Sequence, residues 1–188
     1  MPNSSNIPVD DSLVAHEKTA RRRAYRSAVS WTPEGLASLV DRLEAFVREV
    51  PDDGWIGIYL PRSGEVDLRP AFAAWRDEGR NLALPVLKNG ALTYAEATLH
   101  DDGSWSTADL AQARGEIIPV SLAVVPGLAF DRKRIRLGRG GGHFDRYFAR
   151  FPRVSRIGVQ VEARMVDELP AEAHDLPMHA VITEAGAW

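Results

Sequence analysis

The chain has 188 residues, 45% of them hydrophobic, which is enough for one domain with a sizeable core and too few for two ordinary domains. A formal net charge of −3 argues against a general attraction to nucleic acids or anionic membranes, so any anion site must be local. Cysteine is absent, which excludes disulfides, thiolate metal sites and a cysteine nucleophile.

The N-terminal residues differ in composition from the rest of the chain. Residues 1–11 hold Pro, Asn, Ser and Asp with little to bury, and we expect them to be disordered, with a single domain over residues 12–188. They lack the basic and apolar regions of a signal peptide, and no apolar run approaches the roughly 20 residues that cross a bilayer. We therefore expect a cytoplasmic protein that does not bind membranes.

The first predicted helix carries a row of basic side chains. It covers residues 13–29, and Lys18, Arg22 and Arg26 stand at i, i+4 and i+8 along one face. Like charges in such a row repel one another and favour a bound anion. For an isolated helix, a solvated basic face is the simpler interpretation, so the pattern alone leaves both open.

Helices and strands alternate along the remainder of the chain. A capping Thr32 with Pro33 begins a helix whose apolar residues recur to Val47, and another helix is predicted over residues 70–77. Short apolar runs predict strands over 55–60, 82–87, 92–95, 121–126, 157–161 and 180–183, with a hairpin turn at Asn89-Gly90. This order predicts an α/β fold, a three-layer sandwich with a mostly parallel, Rossmann-like central sheet and residues 121–126 as its central buried strand.

The loop of residues 61–67 directly follows the predicted strand over residues 55–60. Open α/β sheets bind ligands at the carboxyl ends of their strands, so this loop is a candidate ligand site. On its own, Glu65 in this loop is most simply interpreted as a helix-capping acid.

A glycine-rich loop is the strongest candidate site in the sequence. Four of the five residues 138–142 are glycine, and they run directly into a predicted helical start at His143. Bare backbone of this kind, with the first turn of the following helix, presents unpaired N–H groups to a polyphosphate, and Arg139 and Arg146 add positive charge. The loop has neither the Lys-Ser/Thr ending of a P-loop nor the third glycine of the dinucleotide motif. A flexible surface turn is the alternative, but the apolar residues that bracket the loop indicate attachment to a core.

The sequence around this loop resembles the signature of the 5-formyltetrahydrofolate cyclo-ligase family. The run RLGRGGGHFDR at residues 136–146 is similar to the usual Arg-Leu-Gly-x-Gly-Gly-Gly-Tyr-Tyr-Asp-Arg, and PGLAFD at residues 126–131 to Pro-Gly-x-Ala-Phe-Asp. The stretches YLPRSGEVDL at residues 59–68 and EAHD at residues 172–175 agree with the family in order and spacing. The resemblance covers most of the chain and implies the family's CoA-transferase-like version of the three-layer fold.

The resemblance implies ATP- and Mg²⁺-dependent conversion of 5-formyltetrahydrofolate, with or without a polyglutamate tail, to 5,10-methenyltetrahydrofolate, ADP and phosphate. We expect the protein to be a monomer. It implies catalytic roles for Arg139 and Asp145, and Mg²⁺ binding by Asp145 and Asp175. ATP binding is implied for Lys18, Arg22, Gly138, Arg139, Gly140, Gly141, Gly142, His143, Phe144, Asp145 and Arg146. Folate binding is implied for Leu60, Glu65, Gly141, Gly142, His143 and Phe144. Without the resemblance, Asp145 would be interpreted as an acid in the first turn of a helix.

The chain departs from the family at three places. His143 and Phe144 replace the usual pair of tyrosines, Ser121 stands where Asp is common, and no clear Gly-Ile-x-Glu-Pro motif occurs around residues 105–116. Two alternatives therefore stay open: a paralogue that kept the ATP site and changed its acceptor, and a module that binds nucleotide or folate without turnover. The basic residues come without a net basic surface or a nucleic-acid motif, so no nucleic-acid partner is expected.

Overall fold

The computed structural model describes residues 11–107, 118–172 and 175–188. Within these ranges the α-helices are α1 (Asp11–Ala24), α2 (Pro33–Val47), α3 (Arg69–Asp77) and α4 (His143–Arg150). The strands are β1 (Trp55–Gly57), β2 (Asn81–Lys88), β3 (Ala91–Leu99), β4 (Trp105–Thr107), β5 (Val120–Pro126), β6 (Ala129–Asp131), β7 (Arg136–Leu137), β8 (Ser155–Val159), β9 (Met165–Val166) and β10 (Ala180–Ile182). A single 3₁₀ turn covers Glu162–Arg164 in the described part of the chain.

The main sheet has seven strands in the order β10-β8-β5-β1-β2-β3-β4. Its pairings from β10 to β2 are parallel, and the two pairings that β3 makes with β2 and β4 are antiparallel. The mostly parallel α/β fold is therefore confirmed. The middle position belongs to β1, and β5, which was expected there, is the interior strand beside it. A second sheet of three short strands, in the order β7-β6-β9, was not predicted from the sequence.

The two faces of the main sheet pack against different helices. In β5, Leu122 and Val124 belong to the core cluster that includes α2 and α3, whereas Ala123 and Val125 belong to the cluster that includes α4. This alternation follows from the period of two in an extended strand. Because all four side chains are buried, β5 contributes to both layers of the core, and the three-layer arrangement follows.

Local sequence signals account for several element boundaries. The hydroxyl of Thr32 accepts a hydrogen bond from the Gly35 N–H at 3.0 Å, which begins α2 as predicted. Asn89 and Gly90 both have positive φ, at 52° and 77°, as the tight β2–β3 hairpin turn requires. The strand β4 was not predicted from the sequence, and residues 108–117 beyond it fall outside the described residues.

The helix α1 begins earlier and ends earlier than the predicted helix over residues 13–29. Beyond Ala24 the backbone carbonyl of Arg26 accepts a hydrogen bond from the Ser63 hydroxyl at 2.7 Å, so a tertiary contact replaces the last helical turns. The expected disorder of residues 1–11 falls on residues outside the described part, apart from Asp11, which begins α1. No helix among the described residues is long and apolar enough to cross a membrane.

Candidate active site

A cleft of about 700 Å³ opens beyond the carboxyl ends of β1 and β5. Loops at this edge of an open parallel sheet are where α/β proteins bind ligands. Tyr59 and Leu60 follow β1 into the cleft, Pro126 ends β5 there, and β2 contributes its carboxyl half, residues 84–87. The predicted site residues that line the cleft are Lys18, Arg22, Leu60, Glu65, Gly138, Arg139, Gly140, Gly141, Gly142, His143, Phe144, Asp145 and Asp175.

The glycine loop ends at the first turn of α4 with a left-handed backbone. Gly140 and Gly142 have φ values of 100° and 60°, which side chains with a Cβ rarely adopt. Gly142 occupies the N-cap position, and no side chain among the described residues caps the helix. The first N–H groups of α4 therefore have no capping acceptor and can bind an anion.

α1 places two basic side chains beside this loop. Arg22 Nε donates to the Gly138 carbonyl at 3.0 Å, and its guanidinium lies next to Gly140. Lys18 stands one turn earlier on the same helix and is only 4% exposed. The predicted row is thus confirmed for these two residues, whereas Arg26 lies past the end of α1 and is exposed.

Lys18 forms ion pairs with two carboxylates, which we call the Lys18 cluster. Its ammonium is 2.6 Å from Glu172 Oε2 and 2.5 Å from Asp175 Oδ2. Asp175 Oδ2 also accepts a hydrogen bond from the Glu172 N–H at 2.7 Å, which fixes the orientation of that carboxylate. The buried ammonium of Lys18 thus lies between two carboxylates. Glu172, which belongs to the EAHD stretch but was not among the predicted site residues, lines the same cleft.

Arg139 connects the glycine loop to the loop of residues 61–67. Its Nε donates to Glu65 Oε1 at 2.8 Å, and its Nη2 donates to the Ser63 carbonyl. The other oxygen of Glu65 accepts the Arg62 N–H at 2.9 Å, so the carboxylate caps its own loop and not a helix. In this structure the Arg139 guanidinium is bonded to the loop after β1.

Arg136 is a cleft residue that the sequence analysis did not assign. Its Nη2 is 3.1 Å from Asp145 Oδ2, and both side chains are largely buried, at 8% and 14% exposure. Its guanidinium also lies 5.1 Å from the centre of the Phe144 ring, within cation–π range. The Nε atom is buried without a hydrogen-bond partner among the described residues. The sequence signal that could have identified Arg136 as a site residue is its position at the start of the glycine-rich signature.

His143 and Arg146 close the loop from the helix side. Arg146 Nη2 donates to the Gly141 carbonyl at 2.8 Å and to His143 Nδ1 at 3.1 Å. Because arginine can only donate, Nδ1 is the acceptor, and a neutral His143 carries its proton on Nε2. Arg146 is the one predicted ATP-binding residue whose side chain bonds the loop itself and does not line the cleft.

The apolar lining of the cleft comes mainly from the antiparallel end of the sheet. Leu92 of β3 and Trp105 of β4 join the β2 residues there, and Phe144 adds an aromatic ring that stacks on Phe148 at 5.9 Å. These strand residues were not predicted as site residues: the pattern of β2 and β3 indicated a hairpin without showing which ligand surface it would meet, and β4 was not predicted.

Asp145 and Asp175, the predicted Mg²⁺ ligands, line the same cleft. No group of three or more His, Cys, Asp or Glu residues within the described ranges is arranged to hold a metal ion. Mg²⁺ characteristically takes one or two carboxylates and completes its shell with waters and substrate phosphates. The carboxylates present therefore fit a Mg²⁺ ion that arrives with a nucleotide better than a permanently bound ion.

Comparison with known proteins gives consistent matches. The model of the 5-formyltetrahydrofolate cyclo-ligase family matches residues 16–184. The 5-formyltetrahydrofolate cyclo-ligase of Escherichia coli K12 is 26% identical over 144 residues, which cover 71% of this chain and 79% of that protein. The protein of the same description from Mycolicibacterium smegmatis is 32% identical over 125 residues, or 63% of this chain and 61% of its own.

Solved structures of similar fold are also found. A 5,10-methenyltetrahydrofolate synthetase from Mycoplasma pneumoniae matches with a TM-score of 0.67 and 21% identity, covering 89% of this chain and 99% of that one. The Aquifex aeolicus 5,10-methenyltetrahydrofolate synthetase matches with a TM-score of 0.63 and 23% identity, covering 93% and 91%. At these identities the structural matches establish the shared fold.

Proposed function

Because the chain belongs to the 5-formyltetrahydrofolate cyclo-ligase family, we propose that it converts 5-formyltetrahydrofolate to 5,10-methenyltetrahydrofolate with ATP and Mg²⁺ and releases ADP and phosphate. One observation carries the proposal at the level of residues. Four distant parts of the chain line one cleft: α1 with its cationic side chains, the loop after β1, the glycine loop, and the acidic pair Glu172 and Asp175. The cleft therefore has one end with cationic side chains, which suits a polyphosphate, and one apolar end.

The proposed reaction has two steps. The formyl oxygen attacks the γ-phosphorus of ATP, the bond from that phosphorus to the bridging oxygen breaks, and ADP leaves. The neighbouring secondary amine of the folate then attacks the activated formyl carbon, loses its proton, and phosphate departs with the former formyl oxygen. Phosphoryl transfer of this kind depends chiefly on alignment and on positive charge around the phosphoryl oxygens.

The residues proposed to bind the triphosphate are those at the α4 end of the cleft. The unbonded N–H groups of the first turn of α4 provide donors, and Arg22 and Lys18 provide positive charge beside them. Most of the cationic side chains of the cleft are already paired with carboxylates, so ATP must exchange partners with them as it binds. Mg²⁺ bound with the nucleotide at Asp145 and Asp175 would neutralise phosphate charge.

The folate is proposed to occupy the apolar end of the cleft. Leu92 and the residues 84–87 offer an aliphatic surface for the flat pterin ring, and the Phe144 ring offers an aromatic contact. Glu65 lines the same cleft and pairs with Arg139 of the glycine loop, and its carboxylate can accept the N–H groups of a pterin. The formyl group would then be directed towards the phosphate end.

The test is direct. Purified protein is mixed with 5-formyltetrahydrofolate, Mg²⁺ and ATP, and the near-ultraviolet absorbance of 5,10-methenyltetrahydrofolate is followed, with Asp145→Ala as the control. Product that requires ATP and is lost in Asp145→Ala supports the proposed reaction. A folded protein that binds ATP but forms no product would contradict the proposed acceptor, and one that binds no ATP would contradict the nucleotide site.

A paralogue with another acceptor is the second candidate, and His143 is the observation that favours it. The imidazole is held by Arg146 and presents Nε2–H, whereas the family usually has a tyrosine at this position. Turnover of 5-formyltetrahydrofolate by the His143→Tyr and Phe144→Tyr variants separates the two candidates: improved turnover in these variants would indicate that the natural acceptor is different.

We also propose that the protein acts as a cytoplasmic monomer. Size-exclusion chromatography with light scattering would test the oligomeric state.

A further inference from the structure

Gln160 is a buried amide whose hydrogen bonds reach two loops at the edge of the cleft. It directly follows β8 and has no solvent exposure. Its Nε2 donates to the Gly64 carbonyl at 2.9 Å and to the Gly127 carbonyl at 2.7 Å, and its Oε1 accepts the Val161 N–H at 2.9 Å. Both N–H groups of the amide are therefore bonded to backbone outside its own strand.

The two carbonyls belong to the loops that follow β1 and β5 and border the cleft. Gly64 immediately precedes Glu65, and Gly127 immediately follows Pro126, which lines the cleft. Gly64 is also tightly enclosed, since a Cβ atom there would lie 2.5 Å from the Tyr25 carbonyl oxygen. Gly64 is therefore packed closely against the segment that follows α1.

A chain of direct contacts links Gln160 to the glycine loop. Gln160 holds Gly64, the adjacent Glu65 pairs with Arg139 at 2.8 Å, and Arg139 belongs to the glycine loop. Gln160 itself does not line the cleft, and the hydrogen bonds of its amide within the described residues all go to backbone atoms and not to side chains proposed to bind ATP. Ile157 and Val159 of the preceding strand β8 are apolar and fully buried. An amide in such surroundings is costly unless every N–H is bonded, so its bonds to the two loops account for its presence.

We propose that Gln160 is a positioning residue for the folate end of the cleft, acting through Gly64 on Glu65. The inference rests on the proposed function. The amide fixes the distance between the loop after β1 and the turn after β5, and thereby the place at which Glu65 meets a substrate. Loss of this bridge moves Glu65 while the first turn of α4 and Arg22 keep their own contacts.

The test compares Gln160→Met with Thr183→Val. Met is unbranched and similar in length, but it has no donor for the two carbonyls. Thr183 is equally buried and bonds Glu162 Oε2 at 2.8 Å and the N–H groups of Ala185 and Gly186, all outside the cleft lining. Both variants should unfold at a lower temperature. Only Gln160→Met should raise the KM for 5-formyltetrahydrofolate, by about tenfold, with the KM for ATP changed by less than about twofold.

Hydrogen exchange gives a second measurement that does not require turnover. Gln160→Met should speed amide exchange in residues 62–66 and leave residues 183–187 unchanged, and Thr183→Val should do the opposite. If Gln160→Met fails to fold, Gln160→Asn, which keeps the amide on a shorter stem, should show a smaller change of the same kind. An unchanged folate KM together with unchanged exchange in residues 62–66 would overturn the proposal. If the wild type forms no product, the proposed function fails, and the exchange measurement still decides whether Gln160 positions the loop.

Discussion

Arg139 of the glycine loop and Glu65 of the loop after β1 form an ion pair, with 2.8 Å between Nε and Oε1. Glu65 is only 7% exposed, and the pair joins the two sides of the cleft. A residue predicted for phosphate and a residue predicted for folate are therefore in direct contact before either substrate binds. Any substrate that takes one of these groups changes the partner of the other.

Energetic coupling between these two side chains is the first prediction. We compare Glu65→Gln, Arg139→Gln and the double variant by urea denaturation. Because the pair is partly buried and hydrogen-bonded, its coupling free energy should be about 1 kcal/mol, so the double variant should lose less stability than the two single losses combined. Strictly additive losses would show that the pair contributes nothing to the folded state.

The second prediction concerns the buried ammonium of Lys18. Lys18→Met removes the positive charge that lies between Glu172 and Asp175, and we expect a loss of about 2–3 kcal/mol in the free energy of unfolding, since the two carboxylates remain close together. The control is Lys133→Met, which breaks an equally short pair with Glu168 in which both side chains are about 70% exposed. That variant should be as stable as the wild type, because water screens the exposed pair. Equal stability of both variants would contradict a structural role for the Lys18 cluster.

Removal of divalent cations is the third prediction. Excess EDTA should abolish product formation, because the phosphate charge is then not neutralised, and added Mg²⁺ should restore it. The melting temperature of the protein without ATP should not change, because Asp145 and Asp175 already have Arg136 and Lys18 as their cationic partners. A clear drop in melting temperature on chelation would indicate a permanently bound structural metal instead.

Arg136 and Glu172 are two residues of the cleft that were not predicted from the sequence. Local patterns predicted the capped start of α2, the Asn89-Gly90 turn and the buried strands, because each depends on a few neighbouring residues. The family resemblance selected side chains of the cleft from four segments. Neither the local patterns nor the resemblance could show that Arg136 pairs with Asp145 or that Glu172 pairs with Lys18. These ion pairs depend on how loops from different strands meet.

The short sheet β7-β6-β9 was missed for a related reason. Its strands are two or three residues long, which is below the length at which alternation of apolar residues is recognisable. Asp131 holds that sheet to the next loop, since its buried carboxylate accepts N–H groups from Lys133, Ile135 and Leu169. A single acidic residue in a sequence does not reveal such a set of partners.

The fourth prediction compares two buried tyrosines. Burial and the neighbouring carboxylates of Glu65 and Asp67 raise the pKa of Tyr59 well above its usual range, so its hydroxyl stays protonated and donates to the Val66 carbonyl at 2.6 Å. Tyr59→Phe leaves that carbonyl without its donor and should cost about 1–2 kcal/mol of unfolding free energy. Tyr94 is buried as well, but its hydroxyl has no partner among the described residues. Tyr94→Phe should therefore be neutral or stabilising in the same denaturation experiment, and a loss equal to that of Tyr59→Phe would contradict this account.

The last prediction separates backbone strain from site geometry at Gly142. Its φ of 60° disfavours any residue with a Cβ, and a Cβ there would lie 2.7 Å from Arg146 Nη1, so Gly142→Ala should displace the guanidinium that bonds Gly141 and His143. The matched control is Gly90→Ala, because Gly90 has a φ of 77° and no described atom within 4 Å of its added Cβ. Both variants should lose about 1 kcal/mol of unfolding free energy from the backbone alone, measured by urea denaturation. Only Gly142→Ala should weaken ATP binding, by about tenfold or more in calorimetry, because the loop that presents the N–H groups of α4 must move. Equal ATP affinity in the two variants would mean that the triphosphate does not bind at the N-terminus of α4.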